Sequence, residues 1–290
     1  MTEYFLTYIR DIPKELHNTL FSEQHILAII MVICSWGVLA FIFKDKSIEK
    51  KWRFIVVMSL ILPILEVAQM LWYKSVGHFS LGYTLPLHLC SLMCLILPIM
   101  AFTRNNLLME YSYAMGLAPA LMTILTPDVY YYPSFSFIYI QTMLVHGIIC
   151  FIPIFLIFGM GFKPCISKLP KVIGMLIGFS ILITPVNYFT NGNYFFLKYP
   201  AEGSPMELFA DLVGKPWYLI PTFLLGCVLW AVMYFPFLMI EQNSKRNLKE
   251  QKKLKEQKKL EEQEKLKEQQ EYEALEREKK RQLEYEKAEI

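Results

Sequence analysis

The sequence predicts an all-α, polytopic membrane protein with seven transmembrane helices, an outside N-terminus, a cytoplasmic C-terminus and a charged C-terminal helix. Three observations carry this. Apolar residues make up 54% of the 290 although the last fifty are almost wholly polar, so the body before them is far greasier than a soluble domain. Seven stretches of that body approach or exceed the roughly 20 apolar residues that a bilayer crossing needs. The cations also fall unevenly between alternate connections. Lys44, Lys46, Lys50, Lys51, Arg53, Arg104, Lys163, Lys168 and Lys171 lie on the side of the C-terminal tail, and only Arg10, Lys14, Lys74, Lys198 and Lys215 on the other. The richer side is the cytoplasmic one by the positive-inside rule.

Residues 1–24 form an extracytoplasmic segment. Glu3, Arg10, Asp11, Lys14, Glu15 and Glu23 interrupt it, and it lacks the basic start and apolar core of a cleaved signal peptide. The spans then follow at about 25–43, 53–73, 86–102, 108–126, 135–158, 169–189 and 217–240, giving a transmembrane domain over 25–240. Prolines at 63, 98, 119, 153, 185, 221 and 236 fall inside these spans. In lipid such prolines are tolerated, because neighbouring groups re-satisfy the carbonyls they free.

The tail, 241–290, repeats every six residues: KEQKKL, KEQKKL, EEQEKL. A coiled coil needs apolar positions every 3.5 residues. Leu254, Leu260 and Leu266 instead point to different sides, since each step turns the chain by about 100°. The expectation is a charged cytoplasmic helix in solvent, a spacer or the docking element for a cytoplasmic partner.

Polar residues inside spans mark function by default. His88 and Cys90 sit within Leu85-Pro86-Leu87-His88-Leu89-Cys90-Ser91-Leu92, near the start of the third span. Glu66 and Gln69 lie in the outer half of the second span, Thr142 and His146 in the fifth, and Asn187 at the outer end of the sixth. All of them fall in the outer half, and the inner halves are nearly free of such groups. On a regular helix residues two apart diverge by about 200°. His146 is therefore the expected base for Cys90, with His88 binding a headgroup or orienting substrate and Glu66 orienting an imidazole. The cysteines at 34, 90, 94, 150, 165 and 227 show neither zinc-ligand spacing nor a disulfide framework. The expected site has no metal and no cofactor.

The segment LPLHLCSL, residues 85–92, resembles the signature of the YwaF-type bacterial integral membrane proteins, which are related to the animal transmembrane protein 164 acyltransferases. Gln141 to Gly147 is similar to that family's fifth-helix histidine-glycine, and Asn187-Tyr188 through Asn193-Tyr194 to Lys198-Tyr199-Pro200 to its asparagine and outer loop. The resemblance covers about residues 25 to 240 and leaves out the tail. It implies seven helices and transfer of fatty acyl chains between phospholipids through a cysteine that matches Cys90. It also brings Asn193, Tyr194 and Lys198 into the substrate-binding set with Gln69, Thr142 and Asn187.

The expected function is a membrane-embedded acyltransferase or transacylase of the cell membrane, with membrane lipids as substrate and no nucleic-acid partner. A transporter or proton path through Glu66, His88 and His146 is the alternative from another class. A sensor or scaffold acting through the tail is a third.

Overall fold

The apolar runs fold as helices throughout the computed structural model, which describes residues 2–288 and contains no strand among them. The helices are α1 (Glu23–Phe43), α2 (Ile48–Ser75), α3 (Leu89–Thr103), α4 (Asn106–Tyr111), α5 (Leu117–Leu125), α6 (Phe137–Met160), α7 (Leu169–Thr190), α8 (Pro205–Val213) and α9 (Leu219–Ala288). Five segments are long and apolar enough to cross a membrane: Glu23–Phe43, Ile48–Ser75, Phe137–Met160, Ile166–Thr190 and the apolar start of α9. Prolines 63, 98, 153, 185 and 236 do lie inside helices.

The two remaining expected spans take other forms. α3 has 15 residues and starts at Leu89 rather than at 86. The fourth is α4 and α5 joined by a π-helical turn, Ser112–Gly116. A π turn frees a carbonyl from the α ladder, and such turns cluster at functional sites. Here the Trp230 indole N–H donates to the Ala114 carbonyl at 2.9 Å, and the Tyr113 hydroxyl donates to the Met233 carbonyl at 2.7 Å.

α6 is the axis of the bundle. It packs against α1, α2, α3 and α5, and most of its residues are buried. Gly147 lets α1 approach, since a Cβ there would stand 3.2 Å from Val32. One turn on along α1, the Trp36 indole N–H bonds the Gly147 carbonyl at 3.1 Å. α1 and α7 turn large apolar side chains outward, among them Ile30, Met31, Phe41, Ile181, Leu182 and Phe189. That is stable only against a non-aqueous solvent.

Two ends of the first compact unit, residues 1–235, are defined by contacts between connections. At one, the Lys51 end, Lys51 Nζ donates to the carbonyls of Lys44 at 2.9 Å and Gly159 at 2.8 Å, so a cation sits on the C-terminal turns of both α1 and α6. Arg104 forks onto Glu49 at 2.7 and 2.6 Å beside it. Lys51→Met is expected to lower stability by about 1 kcal/mol, losing two carbonyl bonds and a favourable dipole contact. Thermal unfolding in detergent checks it.

The other end carries Cys90. There the segment before α1 closes over the helix ends: the Trp72 indole N–H bonds the Leu6 carbonyl at 2.8 Å, Phe137 N–H the Phe5 carbonyl at 2.8 Å, and Asn18 N–H the Tyr131 carbonyl at 3.0 Å. His25 is fully buried; it accepts from Phe21 N–H at Nδ1, so Nε2 carries the proton given to the Ile124 carbonyl at 3.1 Å. Composition alone shows only a polar leader here, because these bonds use backbone groups that any residue has.

The second unit, residues 236–290, is helical through Ala288, the last described residue. Its described side chains from Glu241 onward are exposed, with i,i+4 ion pairs Lys245–Glu241, Arg246–Glu250 and Arg277–Glu273. Residues 289 and 290 of the expected tail lie outside the described residues. The helix begins well before position 241, at Leu219.

Candidate functional site

Pro86 decides where α3 begins. A proline disfavours helical backbone in the residue before it, and Leu87 N–H turns back onto the Leu85 carbonyl at 2.7 Å. His88 is consequently the N-cap, in extended conformation with φ −70° and ψ 159°, and Leu89 starts the helix. Two expectations change. Cys90 is a first-turn residue, beside backbone N–H groups that have no partner within the helix. The 200° separation argument also fails for His88, which is not helical.

His88 sits among rings: Tyr194 and Phe196 each at 5.1 Å between centroids, and Tyr83 at 6.5 Å. Tyr83 in turn meets Tyr73 edge-on at 5.7 Å. His146, on the face of α6 toward this end, gives a clearer chemical reading. Its Nδ1 lies 2.8 Å from the Thr142 carbonyl oxygen. A carbonyl only accepts, so Nδ1 carries the proton and Nε2 keeps a lone pair. The imidazole stays partly exposed on a helix otherwise packed on that side, and so does Cys90.

Asp128 ties the two together. It stands in the loop between α5 and α6, close enough to act electrostatically on both the Cys90 thiol and the His146 imidazole. Burial pushes its carboxyl above the ordinary value, while His146 and the backbone N–H groups of Asp128 and Val129 pull the other way. The residue nevertheless keeps an exposed surface, so it does not stand in packed core. It does not stand out in the sequence. The available signal was a single carboxylate just ahead of Tyr130, Tyr131 and Tyr132 between two apolar spans.

Glu66 faces other partners than the imidazole expected for it. It is buried, accepts from the Cys94 thiol at 3.7 Å, and lies in hydrogen-bonding reach of Ser91. Gln69 accepts from the Gln141 amide at 3.4 Å, and the same amide reaches the Leu65 carbonyl at 3.4 Å, a polar seam between α2 and α6.

The far end is not free of polar groups either. Glu110 is fully buried there, accepting from Cys165 N–H at 3.0 Å and from the Tyr234 hydroxyl at 2.6 Å. It lies at the edge of an apolar run, where sequence alone reads a boundary.

Asn187, Asn193, Tyr194 and Lys198 build a loop against the Cys90 segment. The Asn187 amide donates to the Tyr194 carbonyl at 2.9 Å and its oxygen accepts Tyr194 N–H at 2.7 Å. Lys198 Nζ caps the Asn187 carbonyl at 2.9 Å, and Asn193 Oδ1 takes the N–H groups of Lys198 and Tyr199 at 3.0 Å each. The Tyr194 hydroxyl accepts from Leu85 N–H at 2.9 Å and donates to the Leu81 carbonyl at 2.8 Å. Phe195 and Phe196 are held at φ 59° and 53°, a left-handed conformation that costs bulky residues of order 1–3 kcal/mol each. The bonds around Tyr194, and one from the Tyr218 hydroxyl to the Phe196 carbonyl, hold that strain beside His88.

Two glycines make the crossing possible: a Cβ on Gly192 would lie 2.7 Å from the Gly82 carbonyl oxygen and 2.9 Å from Thr190 Oγ1. Gly192→Ala is expected to cost about 1–3 kcal/mol by overpacking and to loosen the wall around His88. Unfolding in detergent and proteolysis at the 191–204 loop check it.

The TMEM164 family model matches residues 20–234, nearly three-quarters of the chain. No curated protein and no solved structure matches it.

Proposed function

We propose, from the premise that this chain belongs to the TMEM164 family, that it is a lipid transacylase of the cell membrane that carries an acyl group on Cys90. The spans in this reading are α1, α2, α3, the composite 106–125, α6, α7 and the start of α9. The Cys90 end faces outward, and the tail is cytoplasmic. The observation that carries it is Cys90 on the first turn of α3, sharing the reach of Asp128 with an imidazole whose Nε2 is unprotonated.

Each part has a task. His146 Nε2 takes the Cys90 proton, directly or across one water. The thiolate attacks the ester carbonyl carbon of a phospholipid, and the carbonyl oxygen becomes an oxyanion. The first-turn N–H groups of α3 point where that charge develops. Collapse breaks the ester C–O bond; the lysolipid oxygen leaves with the proton from His146, and a thioester stays on Cys90. A hydroxyl of an acceptor lipid then gives its proton to His146, attacks the thioester, and releases the thiol. Asp128 favours the imidazolium that forms in both halves. Thr142 holds the ring orientation through its carbonyl, and His88 in its aromatic surround orients the bound lipid.

The direct test is to incubate purified protein with acyl-labelled phospholipid and examine the peptide carrying Cys90 by mass spectrometry. The expected product is an acyl adduct on Cys90 that neutral hydroxylamine removes and that disappears when an acceptor lysolipid is added. Transfer of label with no adduct, in a chain whose Cys90 is alkylated, would exclude the scheme.

A further inference from the structure

The connection between α7 and α9 contains a helix that neither the spans nor the proposed chemistry uses. α8 is capped by Ser204, whose Oγ accepts Met206 N–H at 3.2 Å, with Gly203 N–H bonded to Glu207 at 2.8 Å. At 1.5 Å per residue its nine residues run about 13 Å, far short of a roughly 30 Å hydrocarbon layer. Its helix has three faces rather than two. Met206, Phe209 and Ala210 are half-buried and fall on one side. Glu207 and Asp211 form a second, and Leu208 and Leu212 a third.

Among the described residues nothing covers that third face. Leu208 is 59% exposed and Leu212 71%, and beyond the helix Trp217 is 62% exposed. On either side in the chain lie further exposed apolar and aromatic side chains of apolar helices: Tyr188 and Phe189 at the end of α7, and Ile220 and Leu224 at the start of α9. Exposed tryptophan and tyrosine beside such surface favour the headgroup level of a bilayer. Trp217 and Tyr199 occupy that position, with the Lys215 ammonium 4.9 Å from the Tyr199 ring centroid, where it can meet lipid phosphate.

We infer that α8 is a membrane-surface helix, its Leu208–Leu212 face set into the headgroup and upper acyl layer of the leaflet at the Cys90 end, with Glu207 and Asp211 turned to water. The inference does not depend on the acyl-transfer chemistry. It does bear on where that chemistry sits. The loop leading into α8 is bonded through Tyr194 to Leu81 and Leu85, so a helix held at headgroup level ties the segment just ahead of Cys90 to the same leaflet.

The test places a genetically encoded, environment-sensitive fluorescent amino acid singly at positions 207, 208, 211 and 212 of the full chain in phosphatidylcholine vesicles. Phosphatidylcholine brominated near the headgroup is expected to quench 208 and 212 about two-fold or more above 207 and 211, and lipid brominated near the chain end to quench them less. Aqueous iodide is expected to show the reverse order. Wild-type chain supplies a label-free arm: of its five tryptophans, the shallow-quenched component is expected to vanish in Trp217→Phe. Iodide quenching at 208 and 212 equal to that at 207 and 211, with Trp217 insensitive to shallow bromine, would overturn the inference. So would stronger quenching by the deep bromine, which would make the segment an inserted one.

Discussion

Cys90→Ala is expected to lower acyl transfer by at least about 10³-fold, since removing a nucleophile leaves only binding and oxyanion contacts to act. Folding should be nearly unaffected. Cys90 is partly exposed, so truncating one sulfur there costs within about 1 kcal/mol, the range of substitutions outside packed core. Cys94→Ala is the informative control. Cys94 is fully buried, with its thiol on Glu66 and on the Cys90 carbonyl, and its loss should lower stability by about 1–2 kcal/mol yet leave the thioester forming. The pair separates chemistry from packing. The readouts are initial rate of label transfer and unfolding temperature, both in the same detergent. Equal activity losses in the two variants, tracking equal stability losses, would return Cys90 to the role of a packed thiol.

The helices that cross the bundle were legible because a bilayer imposes length and apolarity on any span, a constraint written into composition. α1, α2, α6, α7 and the start of α9 fall within a few residues of their expected places. The failures have local causes. The expected third span starts three residues ahead of α3 because Pro86 and Leu87 are apolar, while the backbone there is spent on a tight turn and, at Leu85, on the Tyr194 hydroxyl. The π turn at 112–116 is bonded through Ala114 to Trp230 and through Tyr113 to Met233, pairs over a hundred residues apart that no window on the sequence joins. α8 is hard to see in the sequence because Glu207 and Asp211 interrupt its apolar residues, although the other seven positions make two apolar faces.

The candidate site is legible in the sequence as residue types and less so as contacts. Cys90 and His146 stood out because a thiol and an imidazole in spans are costly groups. Their common neighbour Asp128 did not, since a carboxylate in a connecting loop is ordinary until the fold brings the loop over the helix ends. Asn187 stood out as a polar residue at a span end and Tyr194 through the family resemblance, but their polar atoms are taken by each other and by the Leu81–Leu85 turn. They shape the wall that His88 leans on.

Asp128→Asn separates the electrostatic role from a packing role because it moves activity and stability in opposite directions. The amide keeps the shape and loses the charge that favours the imidazolium, so transfer should fall by about 10- to 100-fold near neutral pH. Burial raises the Asp128 carboxyl above its ordinary value near 3.8. In the wild type, therefore, transfer should climb with pH as the carboxyl ionises through that raised value, and this acid limb should be missing in the asparagine variant. Stability runs the other way. A group whose folded-state pKa is raised contributes fully below its unfolded value, and that contribution is lost as pH rises through the folded one. The variant should thus unfold at a higher temperature than the wild type above that window and converge with it below. Rate–pH profiles and unfolding temperatures measured across the same buffers give both limbs. A variant that is slower and also less stable at neutral pH, with the acid limb unmoved, would show that Asp128 holds the loop in place and leaves the imidazole alone.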